Sequence, residues 1–206
     1  MTAASDLEQA LLEAQARGFL GPGPVGPQLD HALAFATMLG GPSRALDLGS
    51  GGGLPGLVLA MAEASTTWVL LDANRRRTDF LTEMTVRLGL AGRVQVVCGR
   101  AETVGRNPDH RAGFDAVVAR SFGPPAVTAE CASPLLALGG VLVVSEPPEA
   151  AEGRWSGAGL DGLGLAPDGR AERPTLVRFR KTAPTSDRYP RRVGVPAKRP
   201  LWEGST

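Results

Sequence analysis

Ala45-Leu46-Asp47-Leu48-Gly49-Ser50-Gly51-Gly52-Gly53-Leu54-Pro55-Gly56 decides how the rest of the chain reads. An apolar strand runs into a loop of four glycines and then a proline, which opens a helix from a fifth, Gly56, to Glu63. Glycines let the backbone turn sharply and bring its N–H groups close to a ligand, and proline suits a first helical turn because its missing donor has no partner there anyway. The stretch therefore predicts a nucleotide-type cofactor cradle facing the start of a helix.

Two cofactors fit that cradle. Gly51-Gly52-Gly53-Leu54-Pro55-Gly56 satisfies the G-x-G-x-x-G dinucleotide fingerprint, and Asp72 follows about 20 residues on, where an acid takes ribose hydroxyls. That reading gives NAD. Asp47, however, places an acid at the strand end where NAD folds keep an apolar residue. An acid there suits a cofactor that presents an ammonium group, as S-adenosylmethionine does, and this is the favoured reading.

Working outward, strand and helix patterns alternate. Strands are expected at Arg44 to Leu48, Thr67 to Asp72, Arg93 to Cys98, Phe114 to Ala119 and Val141 to Ser145. Between them lie the Gly56 helix, a long helix from Asn74 to Leu88, a short one from Ala101, and one from Pro125 to Leu138 that stops at Gly139-Gly140. Continuous apolar strands separated by helices predict a parallel, doubly wound α/β sheet covered on both faces. Upstream, two helices are expected, at 5–18 and about 28–39, divided by a non-helical linker from Gly21 to Pro27. Glu146 to Arg170, dense in Gly, Ala and Pro, reads as a loose loop, and Thr175 to Arg180 as a late antiparallel strand at the far side.

The 206 residues suffice for one well-buried domain and are too few for two ordinary ones, so 1–206 is read as a single unit acting as a monomer. Residues 1–42 form a short helical extension and 183–206 a basic tail. Two cysteines without C-x-x-C spacing and two histidines, His31 and His110, argue against a disulfide framework or a zinc site, so no metal is expected. Asp6, Glu8 and Glu13 stand where a signal peptide carries its basic flank, and no run approaches 18 apolar residues, so a cytoplasmic protein without membrane association is expected. Net charge is only +1, yet Arg173 to Arg199 contains nine basic residues against one acid, Asp187. Such a run is either an anion-binding surface or a solvated tail.

In open α/β sheets the ligand lies beyond the carboxyl ends of the strands. The candidates are therefore Asp47, Gly49, Gly51 and Leu54 after strand one, Asp72 after strand two, Ala101 and Glu102 after strand three, and Arg120 after strand four. Asp72 could accept from two ribose hydroxyls or cap the following helix. Ala101-Glu102 would border an adenine, or Glu102 is an ordinary first-turn acid. Arg120 could meet a phosphate or the cofactor's carboxylate, or snorkel at an edge. Arg75-Arg76-Arg77 is read as a solvated helix start in preference to an RNA contact, and Trp155, Tyr189 and Trp202 as core caps in preference to base-stacking platforms.

Taken together, the glycine stretch from Leu46, Asp72 with Phe80-Leu81, Gly99-Arg100-Ala101-Glu102, Phe114-Asp115-Ala116-Val117-Val118-Ala119-Arg120-Ser121-Phe122 and Arg188-Tyr189-Pro190-Arg191-Arg192-Val193-Gly194-Val195-Pro196 resemble the bacterial small-subunit rRNA guanine-N7 methyltransferase family, RsmG or GidB. The resemblance implies a Rossmann-like class I methyltransferase fold, a mostly parallel doubly wound sheet with a late antiparallel strand and N-terminal helices. It also implies S-adenosylmethionine as cofactor, held by Gly49, Leu54, Ala101, Glu102 and Arg120, and 16S rRNA or the 30S subunit as substrate. Arg188, Arg191, Arg192, Lys198 and Arg199 would then contact RNA. One departure is Ser145-Glu146-Pro147-Pro148, where the family usually carries a Lys-Gly pair after strand five. A small-molecule methyltransferase of the same fold, or a non-catalytic cofactor- or RNA-binding module, remains an alternative on sequence grounds.

Overall fold

The computed structural model describes residues 3–147 and 153–203. Parts of the expected N-terminal extension, the Glu146–Arg170 loop and the basic tail, at 1–2, 148–152 and 204–206, lie outside the described residues. In chain order the elements are α1 (Ala3–Ala16), α2 (Val25–Ala34), α3 (Ala36–Leu39), β1 (Arg44–Leu48), α4 (Gly56–Ala62), β2 (Thr67–Asp72), α5 (Arg75–Arg87), β3 (Val94–Cys98), α6 (Ala101–Val104), β4 (Phe114–Ala119) and α7 (Pro125–Ala132). A 3-10 turn at Ser133–Leu135 leads into β5 (Leu136–Ser145), followed by α8 (Gly157–Asp161), β6 (Leu165–Glu172), β7 (Thr175–Lys181) and α9 (Val195–Lys198).

The seven strands form one sheet in the order β3-β2-β1-β4-β5-β7-β6. The first five pair in parallel, and β7 runs antiparallel to both β5 and β6. The chain winds outward from β1 to β3 and returns to β4 on the other side of β1. That reversal opens a crevice at the carboxyl ends of β1 and β4, where such sheets bind ligands.

Period-two alternation feeds two cores. On β1 and β2, Ala45, Trp68 and Leu70 pack with α1, α2, α4 and α5, through Leu11, Ala32, Leu57 and Phe80. Leu46, Leu48, Val69 and Leu71 face the opposite layer, with α6, α7 and Tyr189. Burial on both faces explains why these strands read as unbroken apolar runs. Helix α5 starts cleanly because the Asn74 side chain caps it, accepting from the Arg76 N–H at 3.0 Å.

Four boundaries differ from expectation. The linker was expected to exclude helix through Pro27, yet α2 begins at Val25. First-turn N–H groups have no intrahelical acceptor, so Pro27 costs nothing there. The helix at Pro125 ends at Ala132, six residues early, because Pro134 converts the chain to a 3-10 turn and Gly139-Gly140 lie inside β5. Between Glu146 and Arg170, part of the expected loop is α8 and most of β6. That strand hid because it is a polar edge carrying Pro167 and Gly169, residues an edge strand tolerates and a central one does not. The late strand is antiparallel as expected, but β6 covers it, so β7 is not the edge. No helix among the described residues is long and apolar enough to cross a membrane.

Candidate active site

The glycine loop is fastened from below. The N–H groups of Gly49 and Ser50 donate to Leu71 O at 2.8 and 3.0 Å, and the Ser50 hydroxyl donates to Asp47 O at 3.1 Å. Asp47 is fully buried, and its Oδ2 accepts from the Gly56 N–H at 2.9 Å, pinning the end of β1 to the start of α4. A Cβ on Gly56 would stand 2.5 Å from both Asp47 Oδ2 and Leu70 Cδ2, so only glycine permits this approach. Gly49 is doubly constrained, by φ of +80° and by Phe122, which a Cβ would meet at 2.7 Å. Burial pushes the Asp47 carboxyl up to about 7, against the Gly56 hydrogen bond that favours its anion. Its Oδ1 has no hydrogen-bond partner among the described residues.

Around this loop lie three connected hollows. The first, about 340 Å³, has Gly49, Asp72, Ala101 and Glu102 on its walls, with Ala197 from α9 closing one side. The second, about 190 Å³, is lined by Gly51, Leu54 and Arg120 together with Leu20 and Gln28 from the N-terminal region. Gly49, Arg77 and Ser121 border both, so the two form one groove across the loop. The third, about 340 Å³, opens on the other side of Arg120 and Ser121 and is bounded by His31, Ser145, Glu146 and Trp155. Ser121 stands in left-handed backbone at φ +55°, a strained conformation for a non-glycine residue at the point where all three hollows meet.

Each predicted residue can now be placed. Gly49, Asp72, Ala101 and Glu102 converge on the first hollow, and Gly51, Leu54 and Arg120 on the second. Asp47 lies beneath the loop and lines neither. Asp72 organises the loop, accepting from the Gly51 N–H at 2.9 Å and the Asn74 N–H at 2.8 Å, with Arg77 at 3.6 Å. The expected N-cap role belongs to Asn74 instead. Glu102 is not an exposed first-turn acid: it is 4% exposed and accepts from the Gly194 N–H at 2.9 Å. Although burial pushes its carboxyl up, the Gly194 hydrogen bond and the Arg100 charge hold it below the usual range. Arg120 is half-buried, and its Nη1 has no hydrogen-bond partner among the described residues. Burial draws its guanidinium below the ordinary value, partly offset by the Asp47 charge.

The C-terminal segment from 183 to 203 departs most from expectation. It is a strap. Arg111 donates to Tyr189 O at 2.8 Å and Thr185 O at 2.9 Å, and the buried Lys181 ammonium donates to the Thr185 hydroxyl oxygen. Arg191, expected on RNA, instead grips the fully buried Glu130 through Nε at 2.8 Å and Nη2 at 2.6 Å, while its own N–H donates to the same carboxylate. A bidentate pair with a buried carboxylate leaves that guanidinium engaged. Arg188, Arg192, Lys198 and Arg199 are exposed, Arg188 lying over the Tyr189 ring.

Sequence reasoning missed Leu20, Gln28, Ser121, Gly194, Ala197 and the His31–Ser145 contact of 2.8 Å. It also read Arg77 as solvating the helix, whereas this residue borders both halves of the groove. Its position in the first turn of the helix that follows Asp72 was the available signal. Leu20, Gln28, Gly194 and Ala197 come from distant segments with no local pattern to mark them, whereas Ser121 directly follows Arg120.

Comparison with known proteins places this geometry in a family context. Residues 28–149 match the family model described as rRNA small subunit methyltransferase G, GidB. A Deinococcus radiodurans protein named ribosomal RNA small subunit methyltransferase G is 38% identical over 177 residues, covering 80% of this chain and 68% of that one. A protein of the same name from Rubrobacter xylanophilus is 39% identical, covering 85% and 74%. Among solved structures, an O-methyltransferase from Bacillus cereus in complex with SAH superposes with a TM-score of 0.61 at 16% identity, over 86% of this chain and 91% of that one. A Geobacter sulfurreducens methyltransferase gives 0.59 at 14%, over 87% and 89%. These structures share the Rossmann-like class I methyltransferase fold with this chain.

Proposed function

The chain belongs to the rRNA small subunit methyltransferase G family, and from that premise we propose that it transfers a methyl group from S-adenosylmethionine to N7 of a guanine in 16S rRNA. The observation that carries this reading is Arg120, whose buried Nη1 has no hydrogen-bond partner among the described residues, at the end of a groove whose other end holds Asp72 and Glu102. Those residues suit the cofactor's chemistry. Arg120 would take the methionine carboxylate, Asp72 the ribose hydroxyls, and Ala101-Glu102 the adenine. Beneath the loop, the unpaired Asp47 oxygen favours an ammonium group above it.

Bound S-adenosylmethionine supplies an electrophilic methyl on a sulfonium. Guanine N7 carries a lone pair and no proton, so no general base is required. The chain's own task is to hold donor and acceptor in line and to exclude water, which proximity alone makes effective. His31 fits this reading: burial and the Arg120 charge lower its pKa, so it stays neutral near pH 7 and adds no cation beside the developing positive charge on the base. Exposed Arg188, Arg192, Lys198 and Arg199 would meet phosphates, giving binding that weakens steeply with salt. The target is 16S rRNA, free or within the 30S subunit, in the cytoplasm, and the enzyme works as a monomer.

The test is incubation with 30S subunits from a strain lacking the gene, using labelled methyl donor and mapping of 7-methylguanosine. No label in RNA under conditions where the donor binds sinks the proposal.

A further inference from the structure

Glu146 stands in the third hollow as a carboxylate with work left over. It is 7% exposed, and its Oε1 accepts from Arg154 Nη1 at 2.7 Å and from Trp155 Nε1 at 3.1 Å. Those two donors fill both lone-pair directions of Oε1 and fix the orientation of the group. Oε2 keeps no partner among the described residues, on the wall of a cavity of about 340 Å³ that meets the donor groove at Ser121. Oε2 is therefore an acceptor still open to a donor that enters the hollow.

We propose that Glu146 reads the acceptor base as guanine, its free oxygen accepting from N1–H and the 2-amino group. This rests on the methyltransferase reading above and adds its specificity element. Guanine presents two adjacent donors on its Watson–Crick edge, whereas adenine and cytosine put a ring-nitrogen lone pair at the centre of theirs. A carboxylate attracts the first and repels the other two. The edge geometry also agrees with the chemistry: N7 lies across the ring system from N1 and the 2-amino group. Glu146 and Ser121 follow the paired ends of β5 and β4, so a base held by its Watson–Crick edge at Glu146 leaves N7 free on its opposite edge. A base entering this hollow has left its stack, and a polar wall that demands its partner is how such sites select among extruded bases.

The experiment compares wild type with Glu146→Gln on 30S subunits lacking the modification, with donor affinity and Tm measured on both. Glutamine keeps an oxygen for Arg154 and Trp155 but turns the free oxygen into an N–H donor. The expected result is kcat/KM lower by about 100-fold or more, with donor Kd unchanged within about twofold and Tm within about 2 °C. Turnover equal to wild type in E146Q overturns this inference alone, and so does an equal loss of donor binding. Absence of label from guanine in the wild-type reaction overturns the parent reading as well. Should E146Q fail to fold, a synthetic hairpin bearing the mapped target as guanosine or inosine decides the matter with wild type only. Inosine lacks the 2-amino group and is expected to be methylated at least about tenfold more slowly, and equal rates overturn the proposal.

Discussion

The groove proposed for the donor and the hollow proposed for the base share Ser121 but are built from different materials. Around Gly49 to Gly56 the groove is backbone, drawn so tightly that a single added carbon collides with Asp47 or Phe122. Beyond Ser121 the walls are charged and aromatic side chains standing on loops, chiefly Arg120, Glu146, Arg154 and Trp155. A site of backbone shares its integrity with the core, so damage reaches stability and binding together. A site of side chains fails one contact at a time, in turnover.

The strongest way to break that contrast is Gly56→Ala. Overlap with both Asp47 and Leu70 is expected to cost about 3 kcal/mol or more, seen in urea denaturation, with donor binding lost at the same time. A Gly56→Ala variant that stays stable and binds the donor would show that the loop is not constrained by packing. Next comes Glu130→Ala, which strands Arg191. Since Arg191 is itself partly exposed, the loss should stay at or below about 3 kcal/mol, with the segment from 183 to 203 becoming susceptible to limited proteolysis. Asp72→Asn is expected to weaken the donor by about 10- to 100-fold in calorimetric titration, because the amide nitrogen cannot accept from Gly51 N–H.

The buried Asp47 predicts a pH effect. Its carboxyl ionises near 3.8 in the unfolded chain and at about 7 in the folded one, so the folded state holds the extra proton between those values. Stability of the ligand-free protein is therefore greatest at low pH as far as this group is concerned and falls as pH rises through about 7, by no more than about 1.4 kcal/mol per unit. Asp47→Asn should remove that slope, and an unchanged pH profile would place the titration elsewhere. The smallest effects are at the rim: Lys198→Ala and Arg199→Ala should each weaken RNA binding severalfold and lower the salt slope by about one unit, leaving donor affinity alone.

The same contrast explains what was legible in the sequence. A backbone-built site must advertise itself, since glycines, a strand end and an acid at fixed offsets are the only way to make it. Asp72, Ala101-Glu102 and Arg120 were found because each follows an apolar strand. Leu20, Gln28, Gly194 and Ala197 were not, because only tertiary packing brings them to the groove. The strap was misread for the same reason. A run rich in arginine looks solvated until the buried Glu130 is seen opposite Arg191, 61 residues away. Strand β6 was lost through its edge composition, where polar residues and proline erase the period-two signal.

The strap also sets an order of events. Gly194 meets Glu102 across 92 residues, and Ala197 walls the first hollow. Contacts so distant in sequence close late, after the local and near-neighbour pairings that reward the chain sooner. The groove is thus finished after the sheet that carries it. A growing polypeptide that has reached β5 already holds the glycine loop, Asp72 and Arg120, yet lacks the wall that completes the Glu102 end. Competence to bind is therefore expected only once residues near 197 have been added and have folded onto the groove.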